Sequence, residues 1–139
     1  MSKIGFGGGC HWCTEAVFQT LRGVACVTQG FIQSTPPHDT FSEAVIVDYD
    51  PDTIPLDILI AIHLRTHAST SPHKMRGKYR SAVYTFSDAQ TAEVKSLIKA
   101  EHPNFEAPLV TLTLTHIAFK ASDTRFQNYY ATDAERPFC

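Results

Sequence analysis

The run Gly-Gly-Gly-Cys-His-Trp-Cys at residues 7–13 constrains the fold of this chain more than any other segment. It follows a short apolar segment, 3–6, that is typical of a strand, and it leads into residues 11–21, whose apolar residues recur at helical spacing. Glycines without a Cβ atom permit a tight turn and the close approach of another molecule. The sequence therefore predicts a strand that turns directly into a helix, with Cys10 at the start of that helix.

A cysteine at a helix start is suited to thiol chemistry. The first turn of a helix carries unpaired N–H groups and the positive end of the helix dipole, and both favour an anion. A thiolate is such an anion, and cysteines at helix N-termini are often reactive for this reason. Cys10 is therefore the candidate nucleophile, and the alternative is a buried structural cysteine. The glycines do not complete a dinucleotide fingerprint, and Cys10 and Cys13 lack two further ligands for zinc.

Length and charge restrict the remaining classes. The 139 residues predict a single domain, 1–139, and the net charge of −2 offers no basic face for nucleic acid or an anionic membrane. The first fifteen residues lack the pattern of a secretion signal, and no apolar run is long enough to span a membrane. Thiol chemistry is then a better explanation of the four cysteines than a secreted disulfide framework. We expect a soluble, cytoplasmic monomer with no metal site.

Periodicity and turn residues predict a mixed α/β (α+β) order of elements. Strands are expected at 3–6, 24–31, 44–47, 81–86 and 109–119, and helices at 11–21, 55–66, 87–100 and 123–131. The first helix has Cys13, Val17 and Leu21 as its expected buried stripe. The first six elements follow the order βαββαβ, which predicts a ferredoxin-like two-layer sandwich with an added helix, strand and C-terminal helix.

Four segments carry a resemblance to a known family. Residues 8–18, Gly-Gly-Cys-His-Trp-Cys-Thr-Glu-Ala-Val-Phe, resemble the Gly-Cys-Phe-Trp-x-x-Glu signature of the peptide methionine sulfoxide reductase A family. Residues 42–45 resemble the family's Gly-His-Ala-Glu segment, aligned on the glutamate. Residues 78–82 resemble its Gln-Tyr-Arg-Ser segment, and 126–130 resemble its C-terminal Gln-x-Tyr-Leu helix. The matches occur in order along nearly the whole chain.

The resemblance implies roles for individual residues. Cys10 would attack the sulfoxide sulfur and end as a sulfenic acid. Glu43 would give a proton to the sulfoxide oxygen, a role that burial assists because it favours the protonated form of a carboxyl group. Tyr79 would donate a further hydrogen bond to that oxygen. Trp12 would form the apolar wall against the substrate methyl group, and His11 would stand beside it in the pocket.

A second thiol is needed to remove the sulfenic acid. Cys13 forms a Cys-x-x-Cys pair with Cys10, and Cys139 lies at the C-terminus, where many family members carry a resolving cysteine. The sequence leaves both open, together with a relay through both. Cys26 is expected in the core.

The chain also departs from the family pattern. His11 stands where the family has phenylalanine. The segment that carries the family's second oxygen-binding tyrosine has no tyrosine here, and the segment that carries its aspartate has no carboxylate. The resemblance implies a thiol-dependent reductase of methionine S-sulfoxide, in proteins, peptides or the free amino acid, that needs no metal or organic cofactor and is recycled by thioredoxin or another thiol reductant. Two alternatives remain: a Cys-x-x-Cys thiol-disulfide oxidoreductase, and a redox or binding protein with little turnover.

Overall fold

The chain forms a mixed sheet with helices against it. The computed structural model describes residues 1–67, 69–70 and 79–123. In these residues the strands are β1 (Ser2–Gly7), β2 (Val24–Gln33), β3 (Ser42–Tyr49), β4 (Ala82–Thr85), β5 (Leu112–Thr115) and β6 (Ala118–Ala121). The helices are α1 (His11–Gln19), α2 (Leu56–Arg65) and α3 (Asp88–Glu101), followed by the short 3-10 helix His102–Asn104.

The sheet confirms the predicted arrangement. Its strand order is β5-β4-β1-β3-β2-β6, and β1 lies antiparallel to both β3 and β4, while β2 lies antiparallel to β3. The first four strands therefore occupy the order 4-1-3-2, and α1 and α2 provide the two crossovers of a split βαβ unit. This topology places the start of α1 and the start of β3 at the same end of the sheet, because Gly7 at the end of β1 pairs with Ala44.

The single strand expected at 109–119 is wrong. The structure has two short strands there: β5 pairs in parallel with β4 at one edge of the sheet, and β6 pairs antiparallel with β2 at the other edge. Only His116 and Ile117 separate them, and the backbone N–H of His116 donates to Thr85 while that of Ile117 donates to Gln33. These two consecutive residues thus bond to strands on opposite halves of the sheet, β4 and β2. The sheet therefore curls until its two edges come close.

The buried face of α1 also differs from the predicted stripe. Cys13 is exposed, Val17 and Leu21 are only half-buried, and the buried residues are His11, Glu15 and Phe18. Hydrophobic spacing pointed to the wrong face because two of the three buried positions are polar residues that find partners within the protein. Polar residues on the buried face of this helix are therefore the first structural indication of a functional site.

The other element boundaries differ by a few residues. Pro55 is the N-cap of α2, one position before the expected first turn. Ser87 caps α3, because its hydroxyl accepts a hydrogen bond from the backbone N–H of Gln90 at 3.1 Å. The helix expected at 123–131 lies almost wholly outside the described residues. No helix within the described part of the chain has the length and apolar character needed to span a membrane.

One hydrophobic core joins the sheet to the three helices. Phe6 of β1 stacks on Phe18 of α1 with ring centroids 4.6 Å apart, and Ile60 of α2 and Val94 of α3 are completely buried in the same cluster. Complete burial of such a side chain stabilises a fold by about 1.5–3 kcal/mol. The core therefore fixes the end of β1 and the body of α1, which are the two elements that the glycine turn connects.

The turn between β1 and α1 has a backbone that requires glycine. Gly8 has a φ of +138° and Gly9 a φ of +100°, both outside the range that other residues adopt readily. A Cβ atom at Gly8 would lie 2.5 Å from Cδ2 of His67, whereas a Cβ atom at Gly9 would meet nothing within 4 Å. The His67 ring thus lies directly against the turn that carries Cys10.

This difference gives a test of the turn. We expect Gly9→Ala to lower the free energy of unfolding by about 1–3 kcal/mol through backbone strain alone. Gly8→Ala should cost about 1–3 kcal/mol more, because its new methyl group must also displace the His67 ring. Urea unfolding of both variants measures the difference. Equal losses of stability would mean that His67 does not support the turn.

Candidate active site

Cys10 is the N-cap residue of α1. Its backbone is extended, with φ −64° and ψ 126°, and its thiol makes no hydrogen bond to the first turn of the helix. The carbonyl of Cys10 accepts hydrogen bonds from the backbone N–H and the hydroxyl of Thr14, at 3.2 and 3.1 Å. Cys10 is half-buried and is not part of a disulfide. The structure therefore places this thiol at the positive end of α1, as the sequence predicts.

Glu43 lies at the same helix end. Its Oε1 accepts a hydrogen bond of 3.2 Å from the backbone N–H of His11, the residue next to Cys10. This N–H belongs to the first turn of α1, where it has no partner within the helix. The Glu43 side chain is only about 10% exposed. A buried carboxyl group and a thiol thus meet at one helix terminus, although 32 residues separate Glu43 from His11.

The His11 ring is buried between two strands. Its Nδ1 lies 2.8 Å from the carbonyl oxygen of Gly30, and its Nε2 lies 3.6 Å from Oε1 of Glu43. The edge of the ring packs against Phe31, with centroids 5.3 Å apart. His11 therefore contacts the candidate acid through both its backbone and its side chain.

Tyr79 belongs to a segment that is fastened to the start of β3. The backbone N–H of Arg80, the residue after Tyr79, donates to the hydroxyl of Ser42, the residue before Glu43, at 2.8 Å. Tyr79 itself is half-buried. The two candidate proton-donating residues thus come from segments that one hydrogen bond holds together.

Arg80 is a buried cation that holds the backbone around this site. Its guanidinium donates to the hydroxyl of Tyr84, the hydroxyl and carbonyl of Thr40 and the carbonyl of Ile32, at 3.0–3.1 Å. All of these partners are neutral, and the guanidinium also lies over the Tyr84 ring. The sequence suggested no role for Arg80, because burial of an arginine without a carboxylate has no local signature.

The cysteines occupy three different environments in the described residues. Cys13 is an exposed thiol on the first turn of α1, and Cys10 is a half-buried thiol beside it. Cys26, expected in the core, is instead half-buried and disulfide-bonded. Cys26 lies at an irregularity in the pairing of β2 with β3. Cys139 lies outside the described residues.

Trp12 and Glu15 complete the first turns of α1. The Trp12 side chain is half-buried, and its ring lies 6.4 Å from the His11 ring, centroid to centroid. Glu15 is buried, and its Oε1 accepts a hydrogen bond of 2.9 Å from the side-chain amide of Gln29. The Glu15 carboxyl group thus lies in the interface between α1 and β2.

Two histidines, His63 and His67, pack against the glycine turn, and the sequence did not assign them a role. Nε2 of His63 donates to the carbonyl of Gly7 at 2.8 Å, and the His63 ring stacks on His67 with centroids 4.3 Å apart. Nε2 of His67 lies 2.7 Å from the Ser81 hydroxyl, which in turn lies 2.8 Å from that of Thr111. This series of contacts connects the end of β1 to α2, β4 and the segment before β5.

Burial keeps His63 neutral. Desolvation, with His67 as a second cause, lowers the pKa of His63 well below its ordinary value of 6.5, against a smaller opposite effect of the Gly7 carbonyl. The Nδ1 atom of His63 is buried and has no hydrogen-bond partner in the described part of the chain. A proton on that nitrogen would have no acceptor, so the geometry also favours the neutral ring.

The arrangement is suited to acid-assisted attack by a thiol. Cys10 is the candidate nucleophile, and the carboxyl group of Glu43 accepts the backbone N–H of the next residue, His11, at the same helix end. Among residues 1–67, 69–70 and 79–123, no group of three or more His, Cys, Asp or Glu side chains is placed to hold a metal ion.

Comparison with known proteins decides the family. A family model described as peptide methionine sulfoxide reductase matches residues 2–139. This chain belongs to the peptide methionine sulfoxide reductase A family. A relative from Ralstonia nicotianae named Peptide methionine sulfoxide reductase MsrA is 33% identical, over 96% of this chain and 80% of its own length.

Solved structures agree with the fold of this family member. The reduced form of Mxr1 from Saccharomyces cerevisiae superposes with a TM-score of 0.80 at 20% identity, over 99% of this chain and 88% of Mxr1. Mxr1 in complex with Trx2 superposes with a TM-score of 0.73 at 22% identity, over 92% of this chain and 84% of that chain. At this level of identity the likeness concerns the fold.

The neutral state of His63 predicts a dependence of stability on pH. Unfolded His63 binds a proton below its ordinary pKa of about 6.5, whereas the folded protein does not. The contribution of His63 to stability is therefore complete above pH 6.5 and is lost as the pH falls below it, by at most about 1.4 kcal/mol per pH unit. His63→Gln should remove this slope from denaturant unfolding curves between pH 6.5 and 5.

The exposed His102 offers a matched control. His102→Gln should leave the slope of the unfolding free energy against pH as it is in the parent chain. If His63→Gln retains the parent slope, His63 is not the group that stays neutral in the folded protein.

Proposed function

We propose that this chain reduces methionine S-sulfoxide to methionine, and that Cys10 carries the oxygen away as a sulfenic acid. The observation that carries the proposal is the shared helix end. Glu43 Oε1 accepts from the backbone N–H next to Cys10, so the acid and the nucleophile have a fixed relation. Membership of the family favours this reaction over plain thiol-disulfide exchange.

The reaction balances with one proton. The Cys10 thiolate attacks the sulfoxide substrate, the bond between the substrate sulfur and its oxygen breaks, and an S–O bond forms on Cys10. The substrate sulfur gains two electrons, and the Cys10 sulfur loses two. Because the sulfoxide oxygen is a poor leaving group until it is protonated, one proton must reach it during the attack. The products are methionine and the Cys10 sulfenic acid.

Glu43 is the proposed source of that proton. Its carboxyl group is buried and accepts the backbone N–H next to Cys10. Tyr79 is proposed to donate a second hydrogen bond to the oxygen, since its segment is fastened to Ser42 through Arg80. The half-buried Trp12 is proposed to form the apolar wall for the substrate methyl group.

Cys13 is the proposed resolving thiol. It lies on the first turn of α1, three residues after Cys10, and residues at this spacing are neighbours on a helix surface, within the reach of a disulfide. The exposed Cys13 thiol attacks the sulfenic sulfur, an S–S bond forms, and water leaves.

Regeneration requires an external dithiol. Thioredoxin is the proposed reductant, and the solved complex of Mxr1 with Trx2 supports this choice, because it concerns a protein of the same fold. We propose that the chain acts as a single-domain monomer in the cytoplasm, where thiols are kept reduced, on methionine sulfoxide in proteins, in peptides or as the free amino acid. Thiol chemistry accounts for every electron, so the reaction needs no metal or organic cofactor.

Glu43→Gln tests the acid. In a single turnover of reduced protein with a methionine S-sulfoxide peptide, we expect this variant to form methionine about 10²–10⁴ times more slowly than the parent chain, because the amide cannot supply a proton. Quenched-flow chromatography measures the methionine. The exposed Glu93 provides the control, and Glu93→Gln should react at the parent rate.

Alkylation of Cys10 by iodoacetamide separates the acid from the nucleophile. Glu43→Gln should remain reactive towards this reagent, since the thiol and its helix are unchanged. A Glu43→Gln variant that forms methionine at the parent rate would refute the role of Glu43. Disulfide exchange without any sulfoxide reduction would support the oxidoreductase alternative.

Cys13→Ser tests the resolving step. We expect this variant to form one methionine per chain and then to hold Cys10 as a sulfenic acid that dimedone labels, because the proposed resolving thiol is missing. Cys139→Ser should instead yield the Cys10–Cys13 disulfide. Mass mapping after a single turnover distinguishes the two species. Formation of a Cys10–Cys139 disulfide in Cys13→Ser at the parent rate would assign the first resolving step to Cys139.

A further inference from the structure

A large apolar side chain lies exposed beside the candidate active site. Phe41 comes directly before β3 and two residues before Glu43, and 44% of its surface is exposed. Hydrogen bonds hold the backbone on both sides of it. Arg80 donates from its guanidinium to the Thr40 hydroxyl at 3.1 Å and from its backbone N–H to the Ser42 hydroxyl at 2.8 Å. An exposed aromatic ring is therefore presented from a held backbone at this end of the sheet.

The alternation of side chains assigns Phe41 to the same face of the sheet as Glu43. Successive side chains of a strand point to opposite faces. Ser42, which lies between the two, pairs with Ile32, and Ile32 belongs to a second hydrophobic cluster, separate from the one that packs α1 against the sheet. Glu43 faces α1, because its carboxyl group accepts the backbone N–H of His11. Phe41 therefore lies on the face that carries α1, one pleat beyond Glu43.

We propose that Phe41 is a specificity-determining residue, which contacts an apolar side chain next to methionine sulfoxide in a polypeptide substrate. The inference rests on the proposed function, in which Cys10 attacks the sulfoxide and Glu43 supplies the proton. It narrows the substrate from methionine sulfoxide in any form to methionine sulfoxide that a polypeptide carries beside an apolar residue.

The depth of the site explains why a neighbouring residue, rather than the sulfoxide itself, reaches Phe41. Cys10 is half-buried and Glu43 is buried, so the sulfoxide group must enter the site while the substrate backbone stays at the surface. Two residues of a strand span about 6.5–7 Å. This length separates Phe41 from Glu43 along β3, and it also separates alternate residues of an extended substrate. A side chain one or two positions from the methionine sulfoxide is therefore within reach of the ring.

The hydrophobic effect sets the direction of the preference. A leucine that covers the exposed Phe41 ring removes apolar surface of both partners from water, which favours binding, whereas a serine in the same place gains little. The free amino acid instead carries an ammonium and a carboxylate group where the substrate backbone would lie. An apolar ring beside these charges takes away hydration and offers no partner in return. We therefore expect discrimination against the free amino acid as well.

Two peptides with blocked ends test the inference, one with methionine S-sulfoxide between two leucines and the other with it between two serines. The measured quantity is the ratio of their kcat/KM values. We expect the parent chain to favour the leucine peptide about 5- to 10-fold, mainly through KM. Phe41→Ser should bring the ratio to within about 2-fold of one. Phe41→Leu keeps an apolar side chain and should retain most of the preference.

Phe86 provides the matched control. It is an exposed phenylalanine that follows β4 at the end of the sheet opposite to Glu43. Phe86→Ser should keep the parent ratio. If Phe41→Ser also keeps the parent ratio, the inference is overturned while the proposed function stands. A parent chain that reduces the free amino acid as efficiently as the leucine peptide would have the same consequence.

A binding measurement separates the contact from the chemistry. Cys10→Ser removes the nucleophile, and the fluorescence of Trp12, the single tryptophan of the chain, then reports binding of the same two peptides without turnover. The leucine peptide should bind about 5- to 10-fold more tightly, and adding Phe41→Ser should remove this difference. Equal affinities in Cys10→Ser would overturn the contact. If the parent chain forms no methionine from any substrate, the proposed function fails, and the affinities alone decide whether Phe41 contacts the neighbouring residue.

Discussion

The backbone N–H of His11 is the contact on which this site depends. Helix α1 begins there, so the N–H has no partner within the helix, and the carboxyl group of Glu43 accepts from it at 3.2 Å. Cys10 precedes it as the N-cap. One helix end therefore carries both Cys10, the proposed nucleophile, and the carboxyl group of Glu43, the proposed acid. The strand order of the sheet makes this possible, because β3 lies next to β1.

The surroundings of the helix end consist of rigid polar contacts. Gly8 lies so close to the His67 ring that any side chain at this position would have to displace the ring, and His63 of α2 donates a hydrogen bond to the carbonyl of Gly7. On the other side, Arg80 fastens the carbonyl groups of Thr40 and Ile32. These contacts fix the backbone on either side of Cys10 and Glu43, which is what acid-assisted attack at a defined distance requires.

The sequence predicted the fold better than it predicted the side of α1 that is buried. The βαββαβ order follows from apolar strands, from the glycine turn and from the capping of α3 at Ser87, all of which are local signals. The buried face of α1 contains His11 and Glu15, whose burial depends on partners in β2 and β3. Hydropathy cannot anticipate such partners. The break between β5 and β6 was missed for a similar reason, because the curling of the sheet determines it.

Among the site residues, the resemblance placed Cys10 and Glu43 where the structure brings them together, and it placed Tyr79 in a segment that contacts the start of β3. The pairing of His11 with Glu43 was not predictable from the family, because the family has phenylalanine there. Arg80, His63 and His67 contact groups that are far from them in the sequence, so no local motif marks these residues. The candidate catalytic residues could thus be predicted from short motifs, whereas the residues that hold them in place could be identified only from the structure.

The most direct measurement is the amount of methionine that the fully reduced parent chain forms from a methionine S-sulfoxide peptide when no reductant is added. We expect about one methionine per chain, with Cys10 oxidised in the same proportion, and none from Cys10→Ser. A parent chain that forms no methionine, although Cys10 remains reactive towards iodoacetamide, would contradict the proposed reaction.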